Sequence, residues 1–354
     1  LYICFMIEIS TPGRICFYGD HQDYLGLPVI SGTINRYIYL RAKPIDSNFF
    51  EINLLDFDKS IKVEFSPDPE KIKPGDYFRS GLVILNKEGI IPDQGYRIDI
   101  SGDLPINAGL SSSSSLVVGW IRFLSKNFAR EKKITDLQIA KWAVETEVKF
   151  FKQQGGIMDQ YTIAIGGLLA IDTSEKTYQK LDGNLGSLLV IDSGIPKNTQ
   201  GVLKDAKLNA KKAIKIVQEI KRDYNLLNAV ESDYIKFKDE LPFELQPYWK
   251  ATIYNYMITK RAKIILEKNN TSTDELSFLM NSHQEVLLNQ IQNTPPEIQN
   301  QINQGLKAGA CGVKIVGSGG GGCMVAMVNP KNIPEIKNAF FRAGAKDVFE
   351  VSII

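Results

Sequence analysis

At 354 residues, with 44% hydrophobic and 23% charged side chains, the chain has the length for two domains and the apolar content to bury a full core. Its 42 basic and 40 acidic residues leave a formal charge of +2 and form no long runs, which argues against a nucleic-acid partner or a basic membrane-binding face. The four cysteines, Cys4, Cys16, Cys311 and Cys323, show no CxxC spacing, and His21 and His283 are the only histidines, so a zinc site is not expected and a reduced cytoplasmic setting is.

Leu1 to Met6 is too short for a signal peptide or a membrane span, and Met6 reads as the natural start. Ile7 to Ser10 alternates as a short strand, Thr11-Pro-Gly-Arg14 reads as a turn, and Ile15 to Tyr18 as the next strand. Immediately afterwards Asp20, His21, Gln22, Asp23 and Tyr24 form a dense polar cluster ahead of the apolar run Pro28-Val-Ile30. Two carboxylates and an imidazole can accept from and donate to several hydroxyls at once, as a polyol site requires; a plain loop is the alternative. Arg14 could neutralise a transferring phosphoryl group or be an ordinary surface residue. Arg36 to Lys43, Glu51 to Phe57 and Ile61 to Phe65 alternate as strands of a mostly antiparallel sheet, Tyr77 to Asn86 is helical, and Tyr96 to Ile100 is a strand.

Leu104-Pro-Ile-Asn-Ala-Gly-Leu-Ser-Ser-Ser-Ser-Ser115 follows, running into the apolar segment Leu116 to Leu124. A glycine, small hydroxyl side chains and the start of a helix bring unpaired N–H groups and the positive end of a helix dipole to one spot, which makes a phosphate cradle. No Lys-Ser or Lys-Thr follows the glycine at Walker spacing, so this is not a P-loop. A Ser-rich linker is the bland alternative, but strand-like and apolar flanks oppose it. Helices are expected from about Ser113 to Lys126 and from about Asp136 to Phe151; Glu145 and Glu147 on the second read by default as solvated carboxylates.

Gly155-Gly-Ile-Met-Asp-Gln-Tyr161 places an isolated carboxylate at a helix-to-turn junction before a strand opening at Gly166-Gly. Leu188 to Asp192 is a buried strand, Lys197 to Arg222 a Lys-rich helix with a solvated face, and Tyr254 to Asn269 and Thr273 to Gln292 are helical. Thr294 reads as an N-cap with Pro295 at the first position of a helix ending near Gly309. Strands at Gly312 to Val316, Cys323 to Val328 and Asp347 to Ile353, with a helix from Ile333 to Arg342, make a small α+β domain. Gly317-Ser-Gly-Gly-Gly-Gly322 satisfies GxGxxG but precedes a strand, so the dinucleotide-binding reading fails and close backbone approach to a loop or nucleotide remains.

Three stretches together resemble the first, second and third motifs of the GHMP small-molecule kinases, in order: Pro12-Gly-Arg-Ile-Cys-Phe-Tyr-Gly-Asp-His-Gln-Asp-Tyr24, Leu104 to Ser114, and Lys314-Ile-Val-Gly-Ser-Gly-Gly-Gly-Gly-Cys323. The resemblance implies an α+β, two-lobed fold: residues 6–195 similar to the second domain of ribosomal protein S5, and residues 196–354 a ferredoxin-like domain, with the active site between them. It implies ATP and Mg²⁺ as cofactors, with Asn107, Ala108, Gly109, Leu110, Ser111, Ser112, Ser113 and Ser114 holding the nucleotide phosphates. Ser112 or Ser113, together with Glu147, nine positions before Gly156, would hold Mg²⁺, whereas Glu145 does not match. Asp159 matches the family's catalytic aspartate and Arg14 its basic partner. Asp159 would remove the proton of the acceptor hydroxyl or chiefly orient it; a guanidinium beside a carboxylate weakens it as a base, which favours positioning with late proton transfer.

The Gly-Asp-His-Gln-Asp-Tyr-Leu-Gly stretch resembles the galactokinase signature, as does His283 in Leu-Met-Asn-Ser-His, making Asp20, His21, Asp23 and Tyr24 sugar-site candidates. Asp20 is one methylene shorter than the usual Glu, and Leu27 replaces a common Gly, so the pocket could suit another sugar. The expectation is phosphoryl transfer to a sugar hydroxyl, foremost the anomeric hydroxyl of galactose or a related sugar, by a cytoplasmic monomer or homodimer. Asp192-Ser-Gly-Ile-Pro-Lys-Asn-Thr199 looks as much like mevalonate kinases, which makes that activity the alternative, and a non-catalytic sugar- and ATP-binding regulator the third. The Lys-rich helix is a candidate lid by its position in the chain.

Overall fold

The segment expected to be strand, turn and strand is one strand, β1 (Ile7–Tyr18), in a computed structural model that describes residues 6–197, 199–268 and 271–354, with the side chains of residues 199–202 set aside. Cys4, the apolar residues before Met6, Asn198 of the mevalonate-kinase-like stretch and Asn269 at the end of an expected helix lie outside the described residues. No positive φ occurs between Thr11 and Arg14, and the Pro12 carbonyl accepts the Ser115 hydroxyl at 2.7 Å, so Pro12 and Gly13 stay extended. Likewise β2 (Val29–Ile45) joins the expected apolar run Pro28-Val-Ile30 and the expected strand Arg36 to Lys43 in one long strand.

The chain divides into two compact units: residues 1–14, 33–106 and 111–166, and residues 15–32, 107–110 and 167–354. The expected break between residues 195 and 196 falls inside the second.

In the first unit, β3 (Phe49–Leu54) and β4 (Lys59–Glu64) form a hairpin, and between them Leu55–Phe57 closes as a 3₁₀ turn rather than extending the strand. β5 (Gly95–Gly102), which follows α1 (Tyr77–Lys87), pairs antiparallel with β2 from Ile38↔Gly102 to Ile45↔Gly95 and parallel with β3. The sheet's inner face meets α2 (Ser112–Phe128) through an aromatic cluster in which Phe50 stands edge-on to Trp120 at 5.2 Å and Tyr96 edge-on to Phe123 at 5.2 Å. Gly119 lets α2 approach β1, since a Cβ there would lie 2.8 Å from Thr11 Oγ1. This close approach fixes the N-terminus of α2 over the strand that carries Arg14.

α3 (Asp136–Val144) runs into a wide π turn, Glu145–Lys149, where Phe150 N–H bonds the Glu145 carbonyl at 2.9 Å. The extra residue in that turn rotates the following side chains, so Glu147 points inward and is buried; its default reading as a solvated carboxylate is wrong. Glu145 stays on the surface and pairs with Lys149. α4 (Met158–Ile165) replaces the expected turn around Asp159, because the apolar residues Met158, Ile163, Ala164 and Ile165 all bury on it.

In the second unit, β6 (Leu168–Asp172) pairs antiparallel with the Val29–Gly32 part of β2 and with β7 (Thr177–Lys180), which its polar sequence concealed. β8 (Ser187–Asp192) belongs to a four-stranded antiparallel sheet with β9 (Gly312–Ile315), β10 (Cys323–Val328) and β11 (Asp347–Val351), in the spatial order β11-β8-β10-β9. Counting β8 as first, that order is the 4-1-3-2 of a ferredoxin-like sheet. The domain expected from residue 196 onward therefore lacked its first strand. Helices α5 (Thr199–Ile220), α6 (Ser232–Lys238), α7 (Gln246–Leu266), α8 (Thr273–Val286), α9 (Pro296–Lys307) and α10 (Ile333–Arg342) complete the unit. α9 starts one residue later than expected, with Pro295 rather than Thr294 at the N-cap. Leu27 packs with Tyr224, Trp249, Ile253 and Tyr256 in a second apolar core. No described helix is long and apolar enough to cross a membrane.

Candidate active site

In the first unit the expected catalytic pair is formed. Arg14 Nε donates to Asp159 Oδ1 at 2.8 Å, and Ser111 Oγ donates to Oδ2 at 2.6 Å, so each carboxylate oxygen holds one charge-assisted or hydroxyl donor. Arg14 is nearly inaccessible, whereas the Asp159 side chain keeps 30% of its surface. Ser111 occupies the N-cap position of α2 in the left-handed region at φ 60°, and its side chain makes no cap bond because it is turned to Asp159. The first-turn N–H groups of α2 are thus left without that cap.

Glu147 lies beside the same serines. Gln160 Nε2 donates to its Oε2 at 2.7 Å, and the Ser114 and Ser113 hydroxyls lie near enough to favour its charged form. Burial pushes its carboxyl above the ordinary glutamate value, outweighing those donors, and the Asp159 charge adds to the rise. A buried carboxylate in that condition is relieved by a cation. Gln160 Oε1 is buried without a partner, and carboxylate, amide and hydroxyl oxygens are the hard donors that Mg²⁺ prefers, so the residues fit that ion. Among the described residues no cluster of three or more His, Cys, Asp or Glu that could hold a metal ion exists. Of the serines expected beside a metal, Ser113 is in Glu147's shell; Ser114, expected only on phosphate, joins it.

In the second unit, Asn107 is exposed with φ 55°, and Ala108, Gly109 and Leu110 are buried. Gly109 has φ +92°, and a Cβ there would lie 2.8 Å from the Val316 carbonyl oxygen and 3.4 Å from Lys197 Nζ. Gly322 packs as tightly on Ala108, whose carbonyl accepts the Cys323 N–H at 2.7 Å. The glycine run thus braces the segment ahead of the serines, as close approach required. Lys197 brings an ammonium to that segment, a group the sequence reading assigned to a solvated helix.

The polar cluster after β1 is also assembled here. His21 Nε2 faces the Ser318 carbonyl at 3.1 Å, so that nitrogen carries the proton and Nδ1 accepts from the Tyr24 hydroxyl at 2.9 Å. Burial lowers the His21 pKa despite the nearby Asp20, which keeps the ring neutral. Asp20 is fully enclosed: Oδ2 accepts Lys314 Nζ at 2.6 Å and Oδ1 accepts the Gly317 N–H at 2.9 Å. Burial alone would raise its pKa, but Lys314 wins and holds it below the ordinary aspartate value. Asp23 is half-buried, with Oδ1 accepting the Tyr24 N–H at 2.8 Å. Lys207 on α5 sits 5.6 Å from the Tyr24 ring centroid. His283 is fully buried, stacked on Tyr18 at 6.5 Å, and has no well-formed hydrogen bond, only a poorly aligned approach to the Phe17 backbone.

Sequence reasoning missed Gln160, Lys197, Lys314 and Asn293. Gln160 and Lys197 stood inside recognised stretches and Lys314 at the edge of one; nothing in the sequence pointed to Asn293, whose side chain reaches the Ser318 carbonyl at 3.3 Å.

Residues 77–167 match the family model "GHMP kinases N terminal domain", and residues 263–346 match "GHMP kinases C terminal". A galactokinase of Clostridium acetobutylicum is 29% identical over 343 residues, covering 92% of this chain and 86% of that protein. A mevalonate kinase of Methanocaldococcus jannaschii is 26% identical over 337 residues, covering 93% and 94%. The crystal structure of Lactococcus lactis galactokinase complexed with galactose superposes with a TM-score of 0.88 at 21% identity, covering 98% of this chain and 93% of that one.

Proposed function

This chain belongs to the GHMP kinases, and from that premise we propose that it is an ATP-dependent sugar kinase whose acceptor is the anomeric hydroxyl of galactose or a related sugar. The observation that carries the reading is Asp159, fixed between Arg14 Nε and Ser111 Oγ yet still part-exposed. Its part-exposed carboxylate accepts the acceptor's hydroxyl proton. As the acceptor oxygen bonds to the γ-phosphorus and the bond to the bridging oxygen of ADP breaks, the proton passes late to Asp159. Arg14 supplies positive charge for the transferring group, and the first-turn amides of α2 supply donors; in the second unit, Lys197 beside Gly109 supplies positive charge to the nucleotide phosphates. Mg²⁺, held by Glu147 and Ser113, would neutralise phosphate charge.

Asp23 and Tyr24 are the sugar-facing candidates, with Asp23 the half-exposed carboxylate of the signature. The described cysteines Cys16, Cys311 and Cys323 are all free, which supports a reducing, cytoplasmic setting. Mevalonate phosphorylation is the second reading, favoured by the archaeal relative's near-complete coverage.

ADP release with Mg-ATP, measured across galactose, other aldoses, uronic acids, amino sugars and mevalonate, tests the proposal. Asp159→Asn is nearly isosteric and should keep the fold while cutting turnover about 10²–10⁴-fold. Turnover of mevalonate alone would install the second reading, and sugar and ATP binding without turnover would make the protein a regulator. Unchanged turnover in Asp159→Asn would remove that residue from the mechanism.

A further inference from the structure

Five of the six residues from Gly317 to Gly322 are glycines, all with positive φ between 73° and 137°. Such a run has the greatest backbone entropy to lose and no strand ladder to hold it, so its shape must be imposed by neighbours. The neighbours are identifiable. Asp20 Oδ1 accepts the Gly317 N–H, His21 Nε2 donates to the Ser318 carbonyl, and the Gly320 N–H donates to the Asn293 carbonyl at 2.6 Å. Lys314, 0% exposed, places all three of its donors, on Asp20 Oδ2 at 2.6 Å, the Ile315 carbonyl at 2.7 Å and the Cys16 carbonyl at 3.1 Å. The opposite face of the pinned run carries Ala108 and Gly109, through Gly322, Cys323 N–H and the Val316 carbonyl.

We infer that Asp20, with Lys314, His21 and Asn293, is a positioning residue that sets the nucleotide-binding segment Ala108–Gly109 through the glycine run, and that Asp20 does not itself contact the acceptor. Asp20 is 2% exposed, walled in by Lys314 and the Gly317 backbone that its two oxygens hold, so a sugar hydroxyl could reach its carboxylate only by displacing those groups. The acceptor contacts of the signature then fall to Asp23 and to the free lone pair of the Tyr24 hydroxyl. Tyr24 also bonds His21 Nδ1, so occupancy by an acceptor is mechanically linked to the same glycine run. This inference rests on the nucleotide role given above to Ala108–Gly109.

The test is calorimetric titration of the full chain with a non-hydrolysable Mg-ATP analogue and, separately, with galactose, in wild type and Asp20→Asn. The expected result is a nucleotide Kd raised about tenfold or more with the galactose Kd within about threefold of wild type, and a KM for ATP that rises while the KM for galactose holds. A galactose Kd raised tenfold with nucleotide binding intact overturns the inference, as do equal losses of both or no change in either. Because Asp20→Asn leaves Lys314 buried without its anion and could fail to fold, Asn293→Ala is measured alongside: it deletes the side-chain donor to Ser318, with the amide's 3.3 Å approach to His21 Nε2 and the oxygen that accepts the Thr294 hydroxyl, and leaves the Asp20–Lys314 pair in place. A nucleotide Kd raised about threefold is expected there, and an unchanged one overturns the inference. Wild-type protein that binds nucleotide but neither binds nor phosphorylates any sugar would instead sink the sugar-kinase reading, leaving the nucleotide arm of the test valid.

Discussion

Gly109→Ala is the sharpest test of the brace between the glycine run and the Ala108–Gly109 segment proposed to bind nucleotide. Its φ of +92° is disfavoured for alanine, which costs about 1–2 kcal/mol. The new Cβ would lie 2.8 Å from the Val316 carbonyl oxygen, a backbone atom that cannot swing aside, and relieving that overlap costs about another 1–2 kcal/mol. Alanine's smaller unfolded-state entropy returns about 0.4–1 kcal/mol, leaving a net loss of about 2–3 kcal/mol. The control is Gly186→Ala in the same unit, where φ is +73° but the nearest atom to a Cβ is Thr273 Cγ2 at 3.6 Å, so only the dihedral cost remains, roughly 1 kcal/mol after the same offset. Urea midpoints of both variants separate the two terms. Gly109→Ala should also weaken binding of the Mg-ATP analogue more than tenfold, and Gly186→Ala should leave it unchanged. Equal midpoint shifts, or unaltered nucleotide affinity in Gly109→Ala, would refute the claim that Val316 and Gly109 form a close-packed brace.

Two further outcomes are expected. His283 has its pKa lowered by burial to about 3, in an environment that also contains Asp20, His21 and Lys314. A histidine depressed in the folded state contributes stability above the unfolded value near 6.5 and loses it as pH falls toward the folded value. His283→Phe keeps an aromatic ring against Tyr18 and deletes two poorly satisfied nitrogens. It should match or exceed wild-type stability at pH 7 by about 1–2 kcal/mol and lose less between pH 6.5 and 4; an acid slope identical to wild type would count against this account. Lys197→Met should lower kcat about 10–100-fold with galactose KM little changed, because the lost charge serves the phosphates; a change confined to the galactose KM would move Lys197 to the acceptor side.

Local patterns decided much of this protein. The serine run that opens an apolar helix, Asp159 after paired glycines, and glycines between two strands are each legible because a helix start, an isolated carboxylate and a close backbone approach need particular residue types in sequence. The helices and strands with clear periodicity, such as Ile333–Arg342 and Cys323–Val328, were legible for the same reason. What only tertiary structure decided depended on partners distant in the chain. Pro12 and Gly13 read as a turn until Ser115, 103 positions away, bonds the Pro12 carbonyl. Glu147 reads as solvated until the wide turn at Glu145–Lys149 rotates it onto Gln160 and the serines. Leu188 to Asp192 carries no sign that it is the first strand of the C-terminal sheet, since pairing register with Cys323–Val328 is set by packing, not by local sequence. Asp20 looks like a sugar ligand in one dimension; 294 positions away, Lys314 takes one of its oxygens, because a lysine and an aspartate buried together must neutralise each other.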